Sequence, residues 1–182
     1  MDQAKAAEFK AHVILGIIVA FVVCLGVFVL GALKVHHTWP AFFIMIFFFL
    51  GGANVQNLPK IMIGAITGLL FGFLLLMAAV PAMTALGPTL GLLACVFVVI
   101  FLFVAMGVFI PHMFNDYAFA YFTIALIFAG EAATMAPAAI VKEYVTWGLT
   151  ALLGGGGILA CIIICVSLAR KVGLLPPAEA GH

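Results

Sequence analysis

The chain has 182 residues, of which 68% are hydrophobic and 7% are charged, and its formal net charge is +1. A soluble domain carries about 25% charged residues, so this chain has too little polar surface to cover a water-facing exterior. The composition therefore indicates an integral membrane protein, and the near-zero net charge does not point to nucleic acid as a partner.

The first apolar run covers residues 13–33 and is predicted to span the membrane, because a span needs about 20 apolar residues. The run is longer than the roughly 7–15 residues of a signal-peptide core, so we expect a retained helix. Pro40 then opens a second, shorter segment that extends to about residue 55 and is broken by Gly51 and Gly52.

Four further apolar segments follow. The fifth is interrupted at Gly130 and Glu131, and a loop containing Lys142 and Glu143 is predicted before the sixth. The predicted segments are 61–80, closed by Pro81; 89–110, closed by Pro111; 117 to about 133; and 144–168. A short uncharged loop, residues 82–88, separates the third segment from the fourth.

Six crossings would place both termini on the same side of the membrane, together with most of the basic residues. The other side would hold only Lys34 and Lys142, so the positive-inside bias favours cytoplasmic termini. Alternatively, segments two and five dip into the membrane and return. Lys60 would then move to the outer side, which leaves four basic residues on the terminal side and three on the other. The basic residues on the terminal side are Lys5, Lys10, Lys60, Arg170 and Lys171.

The two halves of the chain resemble each other. With a shift of 79 residues, 41–53 lies over 120–132, and Gly51 falls on Gly130. Each half contains a long span, a Gly-broken segment and a Gly-rich span. Since three crossings is an odd number, the second copy would be inverted. We therefore predict one all-α membrane domain, 1–182, built from two inverted three-helix repeats, about 12–83 and 88–170.

The Gly breaks are the candidate solute path. Glycine permits unwound backbone, which survives at membrane depth only where protein or a water-lined cavity satisfies its polar groups. Glu131 is the charge embedded deepest in a neutral stretch, and is predicted to gate, select or couple protons. The alternative is an ordinary helix end followed by a polar loop. The predicted path residues are Gly51, Gly52, Asn54, Gln56, Gly130, Glu131 and Thr134.

Gly64, Gly68 and Gly72 form a ladder along the third segment. Residues four apart share a helix face, so the ladder makes a smooth groove for close helix packing. Either a neighbouring helix of the same chain or a second copy in a homo-oligomer fills it, with the same chain favoured.

Other polar and aromatic residues are given less specific roles. The His and Asp residues at segment ends are expected to be solvated at the membrane surface. Nearby aromatic residues are expected to anchor the helix ends there, although Trp147 suits packing equally. We find no catalytic set, metal-ligand spacing or cofactor motif, so a non-enzymatic protein is expected. These residues are His36, His37, His112, Asp116, Trp39, Tyr117, Tyr144 and Trp147.

The repeated unit resembles a family of small bacterial inner-membrane proteins of unknown function. The resemblance is carried by residues 39–52, 58–60 and 67–69, and again by 120–130 and 147–149. Glu131 departs from the pattern, where a second glycine is expected. The stretch 64–72 also looks like a segment of urea and amide channels. The first resemblance implies a multi-pass protein of the bacterial inner membrane.

The function expected from these features is passage of a small polar solute between the two repeats, by a channel or facilitator in contact with membrane lipids. The alternative is a non-transporting membrane subunit or scaffold that assembles through its glycine-rich helix faces.

Overall fold

The structure, a computed structural model, describes residues 3–128, 131 and 135–176. This part of the chain is helical and contains no strand. The helices are α1 (Gln3–Ala32), α2 (Trp39–Leu50), α3 (Leu58–Leu86), α4 (Pro88–Gly107), α5 (Asp116–Ile127), α6 (Pro137–Leu149) and α7 (Gly156–Lys171). A 3₁₀ turn (Val55–Asn57) precedes α3, and a π-helical segment (Thr150–Gly155) joins α6 to α7.

Four helical stretches are long and apolar enough to cross a membrane, as expected of a membrane protein. The shorter α2 and α5 have 12 residues each, or about 18 Å, against a hydrocarbon core of about 30 Å. The four long stretches are Lys5–Ala32, Val55–Leu86, Pro88–Gly107 and Pro137–Lys171.

Two predicted boundaries are wrong at the end of the third segment. Pro81 does not close it but lies inside α3, which continues to Leu86. Membrane helices tolerate an internal proline because neighbouring groups replace the lost backbone hydrogen bond. The helix ends instead at Gly87, whose φ of 85° is favourable only for glycine. The predicted loop 82–88 is thus reduced to a single residue between α3 and α4.

The prediction of a loop at Lys142 and Glu143 is also wrong, because both residues lie within α6. The helix begins at Pro137, and proline is favourable in the first turn because its missing N–H would have no partner there. No breaker separates Pro137 from the sixth apolar segment, so the two join into one long helix. Segment two is shorter than predicted and ends at Leu50.

Helix α5 packs along the glycine ladder of α3. An ideal Cβ built on Gly72 would lie 2.9 Å from the Cβ of Ala125, so a side chain there would separate the two helices. The groove predicted from the ladder is therefore filled by this chain's own helix. The two helices are parallel, because the contacts advance in step: Gly64 with Asn115, Gly68 with Ala118, and Gly72 with Ala125.

Helix α2 packs in the same way on the π-helical segment. A Cβ on Gly155 would lie 2.9 Å from the carbonyl oxygen of Ala41 and 2.8 Å from the Cβ of Ile44. Glycine at this point lets the backbone of α2 approach the long C-terminal helix closely. Ala41 and Ile44 are fully buried in the main core, which draws residues from every helix except α4.

The two remaining helices lie at the outside of the bundle. Helix α1 packs antiparallel to α7, since Leu30 lies near Gly154 while Gly26 contacts Ile158. Helix α4 packs antiparallel to α3 and forms a smaller core with α3 and α5 around Phe103. Both outer helices leave many large apolar side chains exposed, which suits contact with lipid.

We predict that Gly68→Ala destabilises the fold by about 1–3 kcal/mol, the usual cost of overpacking. A Cβ at Gly68 would overlap the backbone of Ala118 and Phe122, and backbone cannot move aside easily. Thermal unfolding of the purified protein in detergent measures the effect. Gly16→Ala on α1 is the matched control, because nothing lies within 4 Å of its built Cβ. Equal melting temperatures for the two variants would contradict the packing described.

Candidate functional site

The first predicted Gly break forms a hydrogen-bonded turn. Gly52 has a φ of 77°, and the side chain of Asn54 accepts a hydrogen bond from the backbone N–H of Gln56 at 2.9 Å. The amide of Asn57 donates to the carbonyl oxygen of Gly51 at 3.3 Å. Gly52, Asn54 and Gln56 are exposed. Here the structure has a helix end followed by a polar loop, the alternative that the sequence left open.

The second predicted break is described only at one position. The side chain of Glu131 is exposed in the structure. Gly130 and Thr134 lie outside the described residues.

A different group of side chains is brought together at the junction of α2, α5 and α6. We call it the aromatic cluster. It combines a residue of the loop after α1, the first residue of α2, the residue that follows α5, and two residues of α6. Its members are His37, Trp39, Phe128, Tyr144 and Trp147.

The rings of the cluster are in direct contact. The ring centroids of Tyr144 and Trp147 are 4.7 Å apart, and those of Trp39 and Trp147 are 5.4 Å apart. Trp39 stacks on Phe128 with an interplanar angle of 5° and a centroid distance of 5.7 Å. His37 meets the edge of Trp147 at 88°. These contacts join the two halves of the chain, because His37 and Trp39 come from the first half and the other three from the second.

The cluster contains three buried hydrogen-bond donors without an acceptor among the described residues. These are the indole Nε1 atoms of Trp39 and Trp147 and the hydroxyl of Tyr144. Trp147 is 2% exposed and Tyr144 is 7% exposed, so water does not reach them from the surface. Buried polar groups are usually paired, and each unpaired one costs about 1–3 kcal/mol. Three in one place therefore require an explanation.

Tyr121, whose ring lies beside the cluster, is a buried tyrosine whose hydroxyl does have an acceptor. It is fully buried in α5, and its ring centroid is 5.8 Å from that of Trp39. Its hydroxyl donates a hydrogen bond to the carbonyl oxygen of Pro40 in the first turn of α2. This bond joins the two short helices. The described residues therefore supply an acceptor for one buried phenol but not for Tyr144.

His37 is only partly exposed, although the sequence placed it among the solvated residues at the membrane surface. Its ring packs against Phe128 and Trp147, and its Nε2 lies 3.5 Å from a carboxylate oxygen of Glu143. About a quarter of each side chain remains exposed. The pair connects the loop before α2 with α6 at the outer edge of the cluster, where it is in contact with solvent.

The cluster was not predicted as a site from the sequence. Trp39, Tyr144 and Trp147 lie near predicted segment ends, where an anchoring role at the membrane surface explains each of them separately. The one sequence feature that pointed to a shared site was the distribution of tryptophan: the chain contains two Trp residues, and each half contributes one.

The described residues contain no group of three or more His, Cys, Asp or Glu side chains able to hold a metal ion. Comparisons of the chain with protein-family models, with curated proteins and with solved structures found no match. Function is therefore argued from the geometry of the cluster and of the helices that hold it.

We predict that Tyr121→Phe lowers the free energy of unfolding by about 1 kcal/mol, because the carbonyl of Pro40 loses its link to α5. Chemical unfolding in mixed micelles, followed by circular dichroism, measures the loss. Tyr117→Phe, near the start of the same helix, is the matched control and should unfold close to wild type. A Tyr121→Phe variant as stable as the control would show that this hydrogen bond does not hold α2 to α5.

Proposed function

We propose that the chain is a six-pass bundle of two inverted three-helix repeats that passes a small polar solute between its halves. The aromatic cluster is the closed gate of that path. Repeat one comprises α1, α2 and α3, and repeat two comprises α4, α5 and the continuous α6–α7 helix. The bacterial inner membrane is the proposed location, with both termini in the cytoplasm.

The packing of the helices supports the repeats because it is reciprocal. The second helix of each repeat lies parallel to the third helix of the other: α5 on the glycines of α3, and α2 on those of the π-helical segment. The first helix of repeat one, α1, packs antiparallel to the third helix of repeat two. A two-fold axis in the membrane plane exchanges halves in this manner. The first helix of repeat two, α4, likewise packs antiparallel to the third helix of repeat one, α3, and it also contacts α5.

The helix directions support six crossings. With α6 and α7 counted as one continuous helix, each helix runs opposite to the one before it in the chain, as the parallel and antiparallel contacts require. Helix α2 also runs antiparallel to α5: Trp39 at its start stacks on Phe128, and Phe47 near its end contacts Tyr117 at 5.1 Å. The five basic residues of the terminal side then face the cytoplasm, and Lys34 and Lys142 face outward.

Cysteine labelling of whole cells tests this topology, in a background from which the four native cysteines are removed. We predict that Lys34→Cys reacts with a membrane-impermeant maleimide in intact cells, whereas Asn54→Cys reacts only after the membrane is permeabilised. If α2 dipped into the membrane and returned, Asn54→Cys would also react in intact cells, and the six-pass proposal would be wrong.

The cluster is proposed as the gate because of its three unpaired donors. They lie where the two halves meet, at the end of the bundle opposite the termini, and the ring of Trp147 contacts every other member of the cluster. Closed rings leave the donors unsatisfied, while separated rings would let water or a solute accept their hydrogen bonds. The closed state is therefore penalised electrostatically and held by ring packing, which is the balance that a two-state gate needs.

The scaffold alternative receives less support. It relied on glycine faces available to a partner, but α5 covers Gly64, Gly68 and Gly72, and α2 covers Gly155. A helix of another protein would have to displace these contacts.

Flux into proteoliposomes tests the gate. Osmotic shrinkage and recovery are followed by light scattering after addition of glycerol, acetamide or sodium methanesulfonate. We predict that Trp147→Ala raises the rate for a permeating solute on the order of tenfold, equivalent to about 1.4 kcal/mol lost from the closed state. Phe128→Ala, which removes another ring of the cluster, should act in the same direction.

Phe97→Ala is the matched control. Phe97 lies on α4, is 70% exposed and stacks only on Phe101 among the described residues, so its removal should leave flux unchanged. The proposal fails if none of the three solutes crosses faster than in protein-free liposomes, for the wild type and for both cluster variants alike.

A further inference from the structure

We infer that the solute is a small uncharged molecule with a carbonyl-type acceptor oxygen, bound by the indole N–H groups of Trp39 and Trp147 and the hydroxyl of Tyr144. The inference rests on the proposed function and specifies the chemistry of its site. It depends on two observations: what the three polar atoms can do, and which charges surround them.

The polar atoms of the cluster are mainly donors. An indole N–H donates and cannot accept, and a phenol hydroxyl does both. The cluster has two indole donors and one phenol, all buried and unpaired among the described residues. A solute that supplies acceptor atoms would satisfy them. A solute that only donates, such as an ammonium ion, would leave both indoles unsatisfied. Carbonyl oxygen has two lone pairs and can accept from two donors at once.

The charges near the cluster favour an uncharged solute over an anion. The carboxylate of Glu143 lies at its edge, 3.5 Å from His37, and no Lys or Arg packs among its rings in the described chain. Lys142 is the nearest basic residue in sequence, and its side chain is exposed. An anion would lose its hydration in this ring-lined site and gain no Lys or Arg partner among the described residues, a cost that a neutral carbonyl avoids.

The described residues supply no acceptor for these donors. Tyr144 reaches towards α3, where a Cβ built on Gly72 would lie 3.6 Å from its hydroxyl. The surroundings there are Gly72, Phe73 and Ala125, whose side chains carry no oxygen or nitrogen. A solute oxygen can therefore satisfy the hydroxyl without competing with the protein.

The chain offers a direct readout, because its only two tryptophans are both in the cluster. Intrinsic tryptophan emission of the full chain in detergent therefore reports this site alone. We expect acetamide to cause a saturable change in emission. Acetate, which has nearly the same size and shape but is an anion at pH 7.5, should bind at least about tenfold more weakly. In wild-type protein, acetamide should also shift both indole N–H resonances in a nitrogen–proton NMR spectrum.

Three variants remove one donor each and keep an aromatic ring: Tyr144→Phe, which retains the same ring, and Trp39→Phe and Trp147→Phe, which replace indole by a smaller phenyl ring. Each should weaken acetamide binding about five- to tenfold, the effect of one lost hydrogen bond. Each Trp variant leaves the other tryptophan as reporter. Tyr117→Phe removes a phenol hydroxyl at the far end of α5 and should bind like wild type.

Two results would overturn the inference: acetate binding as tightly as acetamide, or donor-removing variants that bind acetamide like wild type without any indole N–H shift. The proposed function would stand after either result, provided that liposome flux still depends on Trp147. Conversely, selective acetamide binding without flux of any solute would retain the site chemistry and reject the transport proposal.

Discussion

Close approach of helix backbones is the interaction on which the rest of this structure depends. Lipid tails are as apolar as the helix surfaces, so no hydrophobic force draws one helix to another within the bilayer, and dispersion contacts must hold them together. Gly64, Gly68 and Gly72 let α5 lie against α3, and Gly155 lets α2 lie against the C-terminal helix. These two contacts position both short helices, and through them the start of α2 and the end of α5.

The aromatic cluster is a consequence of that placement. With α2 and α5 fixed antiparallel to each other, Trp39 and Phe128 stack, and α6 brings Tyr144 and Trp147 against them. Large flat rings fill the space where the halves meet, but ring packing does not satisfy indole N–H groups. The fold provides an acceptor for Tyr121 and none, among the described residues, for the three donors of the cluster. The candidate site is recognised by this difference: the helices pack closely at their glycines, whereas three donors of the cluster lack an acceptor.

The π-helical segment distinguishes the long C-terminal helix from α3. Helix α3 is an uninterrupted α-helix, whereas Thr150–Gly155 changes the hydrogen-bonding pattern of the long C-terminal helix beside α2. Segments of this kind are frequent at functional sites, because they disturb the regular hydrogen-bond ladder. The segment begins three residues after Trp147, so a change in its geometry would move the cluster directly.

The sequence alone determined the class of protein and the approximate place of its helices. Sparse charges and long apolar runs indicate membrane helices, because hydrocarbon tolerates little else. The sequence also located the glycine ladder, since residues four apart share a helix face whatever the tertiary structure. It did not determine where α3 ends, because proline stops a helix in water but is tolerated in a membrane helix whose neighbours compensate.

Only the tertiary structure decided which side chains form a site. Trp39 and Trp147 are 108 positions apart in the sequence, and nothing in either neighbourhood shows that their rings meet. The polar residues after Gly51 looked equally suited to a path, yet they hydrogen-bond one another in an exposed turn. The direction in which a polar side chain points depends on the rotation of its helix against a neighbour. That rotation is set by packing over the whole bundle, which no local pattern contains.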